Sequence, residues 1–234
     1  MGECISYSTN KGREFVETIQ EEWAHKWPNK TMYYDVINIC RTMTTKQVRR
    51  ALNCAMTTWD LEIDVTFKPI WWMKNKYPHL KPNLTIDFKS SDEDDHFAQK
   101  PSVLAYAYFP GQGSVSGKVV FNNDYIWSMN GKPISGKDAK AKGWVDNAND
   151  NTSIRTYNII TVLIHELGHS LGLRHDVSGN KNGNDVMDAF YDGQLELSDR
   201  DIYRIRKKYP ARIFSRWSHY ARLKKAMKRI KSRF

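Results

Sequence analysis

Cysteine is scarce: Cys4, Cys40 and Cys54 are the three in 234 residues. An odd, low number is not a disulfide framework. A single bridge between Cys40 and Cys54 stays open, so cysteine usage leaves the redox compartment undecided. No run of 18 apolar residues occurs, which argues against a membrane-spanning helix. No internal period occurs either, which argues against a solenoid. Residues 1–6 have neither a basic n-region nor an apolar h-region, and they do not read as a secretory signal. Charge is unevenly placed along the chain. Residues 211–234 hold nine of the 36 Lys/Arg and none of the 26 Asp/Glu. The net charge of +10 therefore belongs to that tail, and the body is close to neutral.

What is present describes a folded chain. An apolar content of 40% with 12% aromatics supports a core, and the length suits one domain with extensions. Phe15, Val16, Ile19, Trp23 and Trp27 fall at helical spacing, which predicts a short amphipathic helix broken at Pro28-Asn29. Residues 32–40 are β-branched and aromatic and read as a strand. Thr44-Thr45-Lys46-Gln47 predicts a capping box, opening a helix with one apolar stripe through Val48, Ala51, Leu52, Ala55 and Trp59. Strands are expected at 65–70, 84–88, 103–109 and 118–121. Residues 128–151 are polar and glycine-containing and read as a long surface loop. A second helix is expected from near Ser153 through Ile164, and a third from Ser198 to Tyr209-Pro210.

The second helix ends in His165-Glu166-Leu167-Gly168-His169-Ser170-Leu171-Gly172-Leu173-Arg174-His175. Helical residues four apart differ by roughly 40° in rotation and about 6 Å in rise. His165 and His169 therefore share a face and can share a metal ion. His175 could not reach that ion on a continued helix. Gly172 tolerates the positive φ that ends helices, and a turn there returns His175 to the other two. Three imidazoles with one open position make a catalytic zinc site rather than a closed structural one. Glu166 lies beside the ligands as a proton acceptor for a metal-bound water. The pattern arises by chance on the order of 10⁻⁵ to 10⁻⁴ in a chain this long.

With Met187 downstream, this is the signature of the metzincins. Within that clan the sequence resembles the matrix metalloproteinases, or matrixins, over residues 27–210. MYYDVIN is similar to their first strand and LAYAYFPGQG to the edge segment that pairs with substrate. DVMDAFY is similar to the methionine turn and specificity-pocket wall, and LSDRDIYRIRKKYP to the last helix. The resemblance implies an α+β metzincin catalytic domain. That domain has a twisted, mostly parallel sheet with an antiparallel edge strand, two long helices, a C-terminal helix and zinc in the cleft. It implies a zinc metalloendopeptidase with Glu166 as catalytic base and His165, His169 and His175 as metal ligands. Met187 would be the floor beneath the metal, and Ala105 and Tyr191 would contact a protein or peptide substrate. The substrate would lie extended along Val103–Tyr108. A monomer is expected; the resemblance suggests an extracellular setting, but no signal peptide is visible and the localisation stays open.

The sequence departs from the family at two ion sites. Matrixins usually bind a second, structural zinc through histidines in the edge strand and the next strand. Tyr106 and Val120 stand there, with His96 nearby, and this speaks against a second zinc. Asn122 and Asn123, with Asp124 remaining, stand where acidic calcium ligands are expected, and this speaks against calcium. Residues 1–26 form an extension without the family's cysteine-switch sequence, so activity is expected without removing it. Met1-Gly2-Glu3-Cys4-Ile5-Ser6 matches the pattern for N-myristoylation at Gly2; an unmodified terminus is the plainer alternative. In the tail, Phe214, Trp217, Tyr220, Leu223, Met227, Ile230 and Phe234 recur at helical spacing among the basic residues. This segment either packs on the domain or binds an anionic membrane surface or polyanion. A binding module that has lost turnover, and a nucleic-acid-binding protein, are the rival functions. Intact Glu166 opposes the first and the near-neutral body the second.

Overall fold

Alternation of buried and exposed side chains sets β2 (Thr31–Val36) as a half-buried strand, with Met32 and Tyr34 facing inward. The computed structural model describes residues 26–73, 75–176, 185–189 and 193–212, together with the backbone of β1 (Glu3–Tyr7). The amphipathic helix expected before Trp27, Gly2 with its acylation pattern, Tyr191 and the basic tail from residue 213 lie outside the described residues.

Helix α1 (Thr45–Asp60) starts where the capping box predicts. The Thr44 side chain accepts from the Gln47 amide, and the Gln47 side chain returns the bond. Its stripe of Val48, Ala51, Leu52, Ala55 and Trp59 is buried. Next come β3 (Thr66–Pro69), β4 (Leu84–Lys89), the short α2 (Asp95–Gln99), β5 (Val103–Tyr108) and β6 (Lys118–Asn122). The main sheet has the order β1-β5-β6-β4-β2-β3. Strands β3, β2, β4 and β6 run parallel, and β5 is antiparallel to β6. The mostly parallel sheet with an antiparallel strand at its side is thus the expected one, with β1 added outside β5.

Residues 128–151 differ from the expectation of a plain loop, and the stretch after them adds two short strands. Strand β7 (Trp127–Ser128) precedes β8 (Ile134–Ser135), α3 (Gly136–Ala141), β9 (Ser153–Ile154) and β10 (Tyr157–Asn158). Ser135 caps α3 through the Asp138 amide, and β8 pairs with β9. The second long helix, α4 (Ile159–Ser170), therefore begins later than Ser153. Asn158 is its cap, accepting from the Ile160 amide, because Ser153 is already committed to β9. Helix α5 (Asp199–Lys208) is capped by Ser198 and Asp201 reciprocally. Trp59 of α1 is fully buried and donates from its indole to the Ile164 carbonyl of α4, joining the two long helices. Cys40 and Cys54 are buried and not joined in a disulfide, which removes the bridge left open by the sequence.

Candidate metal centre

Helix α4 carries His165, Glu166 and His169, all buried. It ends in a Schellman turn. The Gly172 amide donates to the His169 carbonyl, and the Leu173 amide reaches back to Gly168. Gly172 has φ +97°, in the left-handed region that glycine adopts without steric cost. The turn brings His175 back onto the two helical histidines. Nε2 of His165 is 2.9 Å from Nε2 of His169, and Nε2 of His175 is 3.2 Å from each. Among the described residues these three form the group with metal-ligand spacing.

The triangle fits a zinc ion. A tetrahedral ion with Zn–N of about 2.0–2.1 Å needs nitrogens about 3.3 Å apart. The far sides of two rings are fixed as well: Nδ1 of His165 donates to the Val186 carbonyl at 2.6 Å, and Nδ1 of His169 to the Leu173 carbonyl at 2.7 Å. A carbonyl oxygen only accepts, so each Nδ1 carries the proton and each Nε2 keeps its lone pair for a metal. Burial lowers the pKa of His165 to about 4 and of His175 to about 3. His169 is also held well below its ordinary value, first by burial and then by repulsion from His165 and His175. The rings are thus neutral at pH 7, the form that binds metal.

Met187 lies fully buried against the helix. Its approach depends on Gly168, where a Cβ would stand 2.3 Å from the Met187 sulfur and 3.0 Å from the Trp59 ring. Sequence reasoning missed this use of Gly168, although the letter was in the motif. It also missed Asp201. That fully buried carboxylate accepts the Val186 amide at 2.8 Å and the Met187 amide at 3.3 Å, besides capping α5. Asp201 therefore holds the segment whose carbonyl orients His165. Asp176 pairs with Arg200 of α5, and its amide donates to the Met187 carbonyl. Trp27 and Tyr209 donate to the Ser170 and Leu171 carbonyls at the end of α4, two groups a helix terminus leaves unpaired.

Ala105 is buried in β5, opposite Phe121 on one side and Ser6 on the other. Tyr106 and Val120 form a second small cluster with Phe97 and Val103. The Tyr106 hydroxyl donates to Asp94 at 2.9 Å, and the His96 ring rests against Tyr106 with centroids 5.0 Å apart. Asn122 donates to the Val103 carbonyl, Asn123 accepts the Arg41 amide, and Asp124 accepts the Ser91 amide.

A matrixin family model matches residues 26–210. The chain is 26% identical over 190 residues to matrix metalloproteinase-16 of Rattus norvegicus, covering 79% of this chain and 27% of that protein. It is 26% identical over 183 residues to matrix metalloproteinase-25 of Homo sapiens, covering 76% and 27%. With matrilysin of Felis catus it shares 28% over 193 residues, covering 82% and 62%. The chain thus spans about a quarter of the length of the first two relatives.

Proposed function

The chain belongs to the matrixin family, and from that premise we propose that it is a zinc-dependent metalloendopeptidase acting on protein or peptide substrates. The observation that carries this is the histidine triangle, with Nδ1 of His165 and His169 turned to carbonyls and their Nε2 atoms turned to one point. His165, His169 and His175 would hold one zinc ion. When bound there, zinc supplies a Lewis acid and lowers the pKa of water towards neutrality.

Glu166, next to His165 on α4, is the base in this reading. Its carboxylate takes the proton of the attacking water and delivers it to the departing amine. Its full burial keeps bulk water from competing for that proton. The backbone of β5 aligns the substrate by strand addition, with Ala105 on the contact edge; the family resemblance assigns Tyr191 to the pocket wall. Met187 supports the ligand helix from below. The Tyr106–Phe97–Val120 packing supports a single zinc, because a phenol and an aliphatic side chain, neither a zinc-binding imidazole, stand where the family resemblance places a second zinc's ligands. The side-chain and backbone bonds of Asn122 and Asn123 likewise support a fold that needs no calcium there. An extracellular setting is the one the family resemblance suggests, and a monomer is proposed with it. Attachment of residues 211–234 to anionic surfaces follows from their composition alone.

Cleavage of a quenched fluorescent peptide tests the reading. Activity should vanish with a chelator and return with zinc. Glu166→Gln should keep about one zinc equivalent and lose about a thousandfold in kcat. Near-normal turnover by zinc-loaded Glu166→Gln would remove Glu166 from the mechanism.

A further inference from the structure

The strand β1 is unexplained by catalysis, and it occupies the edge that catalysis needs. Glu3 pairs with Tyr108, Cys4 with Ala107, Ile5 with Tyr106, Ser6 with Ala105 and, after a register shift, Tyr7 with Val103. The pairing is antiparallel and runs almost the whole length of β5. Strand β1 also contacts α4, the helix that carries His165, Glu166 and His169. An outer strand edge presents unpaired N–H and C=O groups that any extended segment can satisfy. Those groups are the ones a bound substrate would use.

We propose that residues Glu3–Tyr7 are a built-in competitor for the substrate edge of β5, so that the chain rests with its own strand in the cleft. The proposal leans on the peptidase reading for what the strand obstructs; the pairing itself stands on the backbone register. It refines the expectation that the chain is active without removing the extension: activity persists, at a raised KM. That expectation rested on the missing switch sequence, which concerns a side chain on the metal. Strand pairing needs no such side chain, because main-chain hydrogen bonds supply the contact.

The strand is tethered, and this gives it weight. A segment covalently joined to its own target acts at an effective concentration on the order of millimolar. If the same segment, free, binds with a Kd of about 0.1 mM, the tethered form suppresses substrate binding about tenfold. The block is reversible and raises KM rather than lowering kcat. A longer or better-matched substrate displaces the strand, and removal of the segment does so permanently.

The test uses the full chain with Ile5→Pro/Ser6→Pro. Neighbouring strand residues send their N–H groups to opposite sides, so the pair removes whichever one donates to β5, and proline also disfavours the paired strand. Hydrogen exchange should speed up at least tenfold for the edge amides of residues 103–108, while the amides of α1 and α4 stay protected and report an intact fold. KM for a short fluorescent peptide should fall about tenfold with kcat unchanged. A labelled synthetic peptide of residues 2–9, kept reduced, should bind the variant about tenfold tighter than the unaltered chain. Equal exchange at β5, equal KM or equal affinity for that peptide in the two chains would overturn the proposal. Selective binding of the peptide to the variant, with no hydrolysis by either chain, would instead sink the peptidase reading and leave the strand competition standing.

Discussion

Around His165 and His169, each imidazole gives its Nδ1 proton to a carbonyl and leaves Nε2 without a protein donor. Around Tyr106, the hydroxyl ends on Asp94, and the ring lies among Phe97, Val103 and Val120. His165, His169, Tyr106 and Val120 are all buried. The first cluster is suited to something that accepts lone pairs, because three neutral rings, two buried and one half-buried, face one another at 2.9–3.2 Å. The second completes itself through packing and one hydrogen bond. What separates a metal site from its replacement is therefore the direction of the lone pairs, more than the presence of histidine. His96 lies beside the second cluster, its ring tilted against Tyr106, and is not grouped with ligands.

Substitutions in the two clusters should part sharply. His169→Ala should release zinc and lower kcat/KM by about a thousandfold or more, since several kcal/mol of transition-state stabilisation leave with the metal. Tyr106→Ala should leave the zinc content near one equivalent. Metal analysis beside peptide cleavage reads both, and loss of zinc in Tyr106→Ala would erase the contrast.

The support of the first cluster should rank next. Asp201→Ala strips the Val186 and Met187 amides of their acceptor. Charged hydrogen bonds of this kind contribute about 1.5–3 kcal/mol each, so denaturant unfolding should show a loss of about 3 kcal/mol. Zinc affinity should weaken about tenfold or more, because the Val186 carbonyl no longer fixes His165. A stability loss without any change in zinc affinity would show that Asp201 serves α5 alone.

Gly168→Ala should cost about 1–3 kcal/mol by overpacking against Met187 and Trp59. A neutral result would mean that Met187 moves aside freely, and zinc affinity should then be unchanged as well. The smallest effect is expected at Tyr106→Phe, about 1 kcal/mol for one hydroxyl hydrogen bond, with cleavage unaffected. Thermal unfolding of the zinc-loaded protein measures it. A large fall in activity from Tyr106→Phe would join the two clusters that the structure keeps apart.

Much was legible in the sequence because it depends on near neighbours. The i, i+4 spacing put His165 and His169 on one face, Gly172 ended the helix, and Thr44/Gln47 and Ser198 announced their caps. Each of these is fixed by geometry within a few residues, which local letters encode. The start of α4 was misread at Ser153 because the apolar pattern continues upstream, while β8 claims Ser153–Ile154 from across the insertion. The tertiary structure alone decided the rest. Asp201 became the acceptor for the methionine segment, Trp27 and Tyr209 closed the end of α4, and Glu3–Tyr7 took the edge of β5. These partners lie far apart in the chain, and many polar side chains and strand-forming segments could have filled each role. Which one does is settled by how the whole chain packs, a quantity no window of sequence contains.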